Sequence, residues 1–457
     1  MTDTAIDTAP LTFDDLVGLM AGGAKPKSEW RVGAEHEKFG FDKSTLRRPA
    51  YDGPNGILAM LTGLQRFGWS PVEEAGHVIA LERKNAEGFT ASISLEPGGQ
   101  FELSGAPLQT IHDICSETGQ HLMEVKMVAD ELNLGFLGAG FDPKWRREDV
   151  PVMPKGRYDI MRAYMPKKGN LGLDMMLRTC TIQANLDFGS EADMVAKFRT
   201  SLALQPIGTA LFACSPFTEG RPNGFLSARA NVWTDTDPDR TGMLDFVFKD
   251  GFGFETYANY ALDVPMYFAK RGEKYVDASG QSFRDFLNGK LPALPGERPT
   301  LKDWADHLTT LFPEVRLKQY LEMRGSDGGP WSRICGLPAL WTGIFYDAPS
   351  LAAAWDLCKD WDIEDHERLR RDVTRLGLRA EVAGRSVRDI AVDMVAIARE
   401  GLKNRARFSG GMVDERGYLS ELEDIADTGV TPAERMLDLY HGEWKGDVDR
   451  IYRDFAY

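Results

Sequence analysis

Glu35 and Glu37 stand two residues apart in Arg31-Val-Gly-Ala-Glu-His-Glu-Lys-Phe-Gly-Phe41, a run that reads as a β-strand. Side chains alternate along a strand, so both carboxylates share one face and His36 points to the other. Paired carboxylates on rigid backbone suit a hard cation such as Mg2+, which takes one or two oxygens from the protein. A single E-x-E pair on an exposed strand is more often a solvated face, so the reading depends on companions. Ser92-Ile-Ser-Leu-Glu96 and Gln100-Phe-Glu-Leu-Ser104 supply Glu96 and Glu102 on two further short strands. Leu321-Glu-Met-Arg324 sets Glu322 and Arg324 on one face, and an acid beside a cation suits a metal-bound phosphate.

Thr179-Cys-Thr-Ile-Gln-Ala-Asn-Leu-Asp-Phe188 alternates without a break, placing Gln183, Asn185 and Asp187 on one face and Cys180, Ile182, Ala184 and Leu186 on the other. The apolar face is core; the amide-bearing face suits a ligand. Cations that can meet phosphate or a substrate carboxylate lie in Met153-Pro-Lys-Gly-Arg-Tyr158, with Lys155 and Arg157, and at Lys167, Lys168, Arg178, Arg229 and Arg240. The glycine-rich Gly325-Ser-Asp-Gly-Gly-Pro330 is not a P-loop, and no dinucleotide-binding glycine motif follows a strand. Nucleotide binding is therefore expected to be led by metal, since phosphoryl transfer needs Mg2+ bridging the phosphate oxygens. No G-x-S-x-G elbow or H-E-x-x-H helix occurs, and the seven histidines are dispersed from His36 to His441. His36 and the cysteines Cys180 and Cys335 read as structural.

These residues need a scaffold, and the 457-residue chain, 43% hydrophobic, can bury a large core. A net charge of −15 with no basic stripe argues against a nucleic-acid partner. No run approaches the length of a membrane span, and Met1-Thr-Asp-Thr-Ala-Ile-Asp-Thr-Ala-Pro10 has neither a basic start nor an apolar stretch, from which a cytoplasmic location is expected. The five scattered cysteines, Cys115, Cys180, Cys214, Cys335 and Cys358, form no C-x-x-C pair and are expected to be reduced, mostly buried thiols.

A single catalytic domain over 1–457 is expected. It begins with an N-terminal helix and linker over 1–27, in which Thr12 opens a helix that Gly22-Gly23 breaks. The sheet-containing core over 28–346 includes a helix near Ile57 to Phe67, a hairpin from His77 to Leu95 and a helix from about Leu108 to Leu132. Pro97-Gly98-Gly99 marks a turn or bulge. Residues 347–457 are mainly helical, with apolar spacing of three and four in Leu351–Leu357, Glu364–Thr374, Ser386–Ala406 and Pro432–Tyr440, and are expected to cover one face of the sheet.

Several long motifs in order, Val32-Gly-Ala-Glu-His-Glu-Lys-Phe-Gly-Phe41, Ser94-Leu-Glu-Pro-Gly-Gly-Gln-Phe-Glu-Leu-Ser-Gly-Ala-Pro107, Leu177-Arg-Thr-Cys-Thr-Ile-Gln-Ala-Asn-Leu-Asp187 and Glu322-Met-Arg-Gly-Ser-Asp-Gly-Gly-Pro-Trp331, resemble plant-type glutamate-cysteine ligase, a form shared by plants and many proteobacteria. The resemblance implies an α+β, glutamine-synthetase-like fold whose antiparallel sheet forms a polar funnel flanked by helices. It implies ATP-dependent joining of glutamate's γ-carboxylate to cysteine through a γ-glutamyl phosphate, the first step of glutathione biosynthesis, by a monomer or homodimer. By motif, Glu35, Glu37, Glu96, Glu102 and Glu322 would be Mg2+ ligands. Gln183 and Asn185 would lie on the ATP or glutamate side, with Lys155 and Arg157 as further binding residues. Arg324 would stabilise the transferring phosphoryl group, and Arg178 and Arg229 would grip glutamate's carboxylate or the charged intermediate. Plant members are redox-regulated through disulfides, whose pairs the resemblance does not map onto this chain. The rivals are a ligase of the same fold using another amine and a non-catalytic binding protein for acidic metabolites.

Overall fold

In the computed structural model, residues 10–411 and 413–457 are described; the expected N-terminal segment therefore falls partly outside, at residues 1–9. Strand-forming runs come first from the alternating segments. They are β1 (Val32–Asp42), β2 (Ser70–Glu74), β3 (His77–Lys84), β4 (Thr90–Leu95), β5 (Phe101–Ser104), β6 (Leu134–Leu137), β7 (Thr181–Leu186), β8 (Val315–Leu317) and β9 (Leu321–Asp327). They form one nine-stranded sheet in the order β8-β9-β7-β1-β5-β4-β3-β2, with β6 also pairing with β1. Every pairing along it is antiparallel, which lets one face be core and the other polar.

Helices close the apolar face. Thr12 caps α1 (Phe13–Ala21) through the Asp15 amide, as the sequence predicts, and α2 (Ile57–Leu64) precedes the hairpin. The long α3 (Ile111–Glu131) is held at its start by a capping box of Thr110 and Asp113. Further on come α4 (Gly156–Tyr164), α5 (Gly172–Arg178), α6 (Glu191–Leu211) and the short α7 (Ala228–Val232). The helix α6 is buried along most of its length, from Phe198 to Leu211, which accounts for its lack of a polar stripe. One core joins β7, β8 and β9 to α6 and to helices Trp331–Phe345 and Val387–Arg405; a second joins β3, β4 and β5 to α2 and α3. The C-terminal helices thus share the sheet's core, as a cover and not as a separate lobe. Among the described residues no helix is long and apolar enough to cross a membrane.

The cysteine expectation needs correction, because Cys115 of α3 and Cys335 of helix Trp331–Phe345 form a disulfide across 220 positions. Only Cys180, Cys214 and Cys358 are buried free thiols. The two bonded residues meet because both helices pack behind β1, a juxtaposition that local spacing does not record.

Helix Leu301–Leu308 carries the loop that enters the polar face. Its His307 is buried, the ring N–H donating to the Ala261 carbonyl at 2.8 Å, while its own carbonyl accepts the Thr310 N–H at 2.9 Å. Burial holds this imidazole down to about 4 from an ordinary 6.5, against the pull of the Ala261 carbonyl and with help from Arg240. A depressed folded-state value means that the unfolded chain takes up the proton first, so stability present above pH 6.5 drains away as pH falls toward 4, by up to about 3 kcal/mol. Urea midpoints of the parent and His307→Gln should therefore converge between pH 7 and 4.5, the parent losing more; parallel curves would refute the assignment.

Candidate active site

Register assembles the polar face. Across β1 and β5, Glu35 stands opposite Ser104 and Glu37 directly opposite Glu102; across β1 and β7, Glu35 stands opposite Gln183; across β7 and β9, Asn185 stands opposite Glu322. These side chains line or border a cavity of about 380 Å³ whose wall includes Glu35, Glu37, Glu96, Glu102, Gln183, Arg157, Arg229 and Arg324. A second cavity of about 470 Å³ adjoins it, sharing Glu35, Ser104 and Tyr320 and adding Asn185, Lys25 and Arg31. Glu35 is thus the partition between an inner and an outer chamber.

Two irregularities aim the side chains. Between Met323 and Ser326 the β7–β9 register slips, so that Arg324 and Gly325 together oppose Gln183, a β-bulge that turns Arg324 toward the amide: its Nη1 donates to Gln183 Oε1 at 2.7 Å. Residue 325 must be glycine, since a β-carbon there would lie 2.7 Å from Gln205 Nε2 of α6. The other is the turn Glu96–Gln100, closed by Gly99 N–H donating to the Glu96 carbonyl at 2.8 Å with Gly99 at φ +76°, which carries Glu96 over the cavity.

The charges divide into two halves. Glu322 is fully buried, and although burial favours its neutral form, Arg316, Lys318 and Arg324 together hold its carboxyl well below the usual carboxylate range. Lys318 lies 2.8 Å from one oxygen, and Arg316 Nε donates to the other. The opposite half is made of acids. Glu35 is bonded only to neutral partners, accepting from Asn185 Nδ2 at 2.7 Å; Glu37 accepts the Thr181 N–H at 3.0 Å; Glu102 accepts the Ser94 and Ser104 hydroxyls at 2.6 and 3.1 Å. Burial raises Glu35, and repulsion from Glu102 and Glu322 adds to it; burial likewise pushes Glu37 up, with Glu96 and Glu102 adding.

Among the described residues no three His, Cys, Asp or Glu side chains are already gathered as a metal cage, and the five glutamates expected to hold Mg2+ differ in their surroundings. Glu322 in particular already has three cations. What remains is an anionic half suited to a cation that brings water and phosphate oxygens of its own.

Other expected residues go elsewhere. Arg178 lies outside the cavity lining: its Nε donates to Asp174 Oδ1 at 2.7 Å and Nη1 reaches Glu219 at 3.2 Å, because Asp174 lies one turn before it on α5 and the loop after α6 brings Glu219 to its other side. Lys155 Nζ donates to the Leu95 carbonyl at 2.8 Å, bracing the turn that carries Glu96; burial and then Arg157 lower it to about 8. Arg240 is fully buried against Asp237 at 2.6 Å, and Lys168 pairs with Asp239. His36 faces away from the site beside His121, as expected. Arg229 Nη2 donates to the Arg324 carbonyl at 2.8 Å; its Nε and Nη1, like Arg157 Nε, are buried with no hydrogen-bond partner among the described residues. Sequence reading missed Arg316 and Lys318. Their signal was present, since Glu314-Val-Arg-Leu-Lys318 alternates charged and apolar residues just before β9.

Antiparallel strands, an acidic wall and facing arginines define a funnel of the glutamine-synthetase-like ligase class. The glutamate–cysteine ligase of Francisella tularensis, solved in complex with AMP, has the same fold: TM-score 0.56 at 13% identity, over 93% of this chain and 89% of that one. The model of glutamate-cysteine ligase family 2 matches residues 31–454, and the chain belongs to that family. Similar relatives are the chloroplastic glutamate–cysteine ligases of Solanum lycopersicum, 57% identical over all of this chain and 84% of that protein, and of Arabidopsis thaliana, 56% identical over all of this chain and 85% of that protein. Their chloroplastic designation overturns the cytoplasmic expectation; residues 1–10 were a poor basis for a location.

Glu37 directly faces Glu102, and burial with the neighbouring acids outweighs the pull of Arg229, so Glu37→Gln should melt about 2–4 °C higher than the parent in chelator-treated buffer, by scanning calorimetry, while losing turnover. A lower melting temperature would contradict a net cost of the acid at this position.

Proposed function

We propose that this chain joins the γ-carboxylate of glutamate to the amino group of cysteine at the expense of ATP, the first step of glutathione biosynthesis. The γ-carboxylate takes the γ-phosphoryl group and ADP leaves. The cysteine amine then attacks the acyl phosphate, phosphate departs and the amine loses a proton. The observation that carries the reading is the division of one cavity into an anionic half, Glu35, Glu37, Glu96 and Glu102, and a cationic half, Arg157, Arg229, Arg316, Lys318 and Arg324. Family membership supports the substrates.

In this reading Arg229 and Arg157 hold glutamate's α-carboxylate through their unpartnered N–H groups, since a buried guanidinium is a strong, directional receptor for a carboxylate. Arg324, aimed by the bulge and steadied by Gln183 and Glu322, meets the transferring phosphoryl group. The nucleotide occupies the outer chamber beside Lys25, Arg31 and Tyr320, with its phosphates crossing at Glu35. Mg2+, when bound, supplies charge neutralisation between the phosphates and the acidic wall.

The test is phosphate release with Mg-ATP. It should require both glutamate and cysteine, and Glu35→Gln and Glu37→Gln should abolish it while leaving the circular dichroism spectrum unchanged. Equal release with other amines would replace cysteine as the substrate; release without glutamate would defeat the reading. Placement of the nucleotide is checked separately: Arg31→Ala, in the outer chamber alone, should raise the KM for ATP more than that for glutamate, and the reverse order would exchange the chambers.

A further inference from the structure

Asp327, the last residue of β9, is fully buried and lies behind the cavity lining. Its Oδ2 accepts the Cys214 N–H at 2.8 Å and the Ser215 hydroxyl at 2.6 Å, and its Oδ1 accepts the Ser227 hydroxyl at 2.6 Å. Both serines lead to one arginine. Ser215 Oγ in turn accepts the backbone N–H of Arg229 at 3.2 Å, and Ser227 Oγ caps α7 by accepting the Ala230 N–H at 3.0 Å. The guanidinium of Arg229 is tied to the same strand, through the Arg324 carbonyl three residues before Asp327. The carboxylate therefore pins α7 to β9 on both sides of Arg229 and sets the direction in which that side chain leaves the helix.

A carboxylate suits this place in a way an amide does not. Three donors converge on it, and a group with no hydrogen of its own accepts them all, whereas an amide would turn an N–H against one of them. Charge acts in the same sense: burial disfavours the charge on Asp327 and on Arg229 alike, and each is the first group to offset that burial for the other. Gly140 packs so closely on the Asp327 side chain that a β-carbon there would lie 2.3 Å from its Cγ, leaving the carboxylate one position.

We infer that Asp327 is a positioning residue for glutamate binding, aiming Arg229, which lines the inner chamber and keeps Nε and Nη1 unpaired. The inference rests on the role proposed above for Arg229, and the experiment separates the two. Steady-state kinetics on Asp327→Asn, Arg229→Gln and the double variant should show the KM for glutamate raised about tenfold or more by each single change, with the KM for ATP within about twofold and melting temperatures near the parent's. In the Arg229→Gln background, Asp327→Asn should add less than about twofold, because its effect passes through the arginine. An equal effect with and without Arg229, or a KM for glutamate left unchanged by Asp327→Asn, overturns the positioning role. A KM for glutamate left unchanged by Arg229→Gln overturns the reading of Arg229 and this inference with it. Should Asp327→Asn fail to fold, Ser215→Ala and Ser227→Ala each remove one bond of the cradle and should raise the KM for glutamate about threefold; no change in either would overturn the inference just as firmly.

Discussion

Two carboxylates directly opposite each other on neighbouring strands, Glu37 on β1 and the buried Glu102 on β5, are the constraint around which this structure is built. Like charges at such a position repel, and with Glu35 and Glu96 alongside, the sheet gathers four acids whose burial and mutual repulsion outweigh the pull of Lys318 on Glu35 and of Arg229 on Glu37. A flexible scaffold would relieve the repulsion by splaying. This one cannot, because β1 is paired on both sides, to β7 over Val32–His36 and to β5 over Glu35–Lys38, and its reverse face is fixed in packed side chains and buried helix. Stability surrendered at the acidic wall is recovered in the two cores behind it, the usual arrangement for a site whose charges await a ligand.

The cationic half explains why the repulsion does not spread. Glu322 occupies the same polar face as Glu35 yet is held ionised by Arg316, Lys318 and Arg324, so the net charge changes sign across two strand spacings. A ligand carrying both a carboxylate and a phosphate, with a cation between, meets complementary charge along the whole cavity. A simple anion meets it only at one end. Such a gradient favours a set of reactants assembled together over any one of them alone, which is what a ligase requires.

Much of this was legible because a strand's period of two is strict: β1, β4, β5 and β7 follow the alternation residue for residue, and the helix cap at Thr12 follows its side-chain chemistry. Alternation places side chains on a face but does not say who binds them. Arg178 was assigned to substrate although Asp174 lies one helical turn before it, where a salt bridge is the nearer outcome. The bulge at Arg324 and Gly325 has no local signature beyond a glycine, because its cause is the approach of α6, more than a hundred residues away. The disulfide between Cys115 and Cys335 is equally non-local. The difference among the five glutamates is non-local too: on one face they look equivalent in sequence, and only the neighbours from β8 reveal that Glu322 is already compensated.

The helical C-terminal region belongs to the same argument. Tyr346, which follows helix Trp331–Phe345, accepts the Asp187 N–H at 2.8 Å and donates its hydroxyl to the Arg31 carbonyl, while Asp187 accepts the Arg31 N–H at 2.7 Å. These bonds close the ends of β1 and β7 where the register begins that brings Glu35 opposite Gln183. A one-residue slip there would turn both glutamates of β1 into the core and bring His36 and Lys38 into the cavity. The register is therefore fixed at two places, by the core under the strands and by a tyrosine from the helical cover, and the cover contributes to the chemistry through alignment although it lines neither chamber.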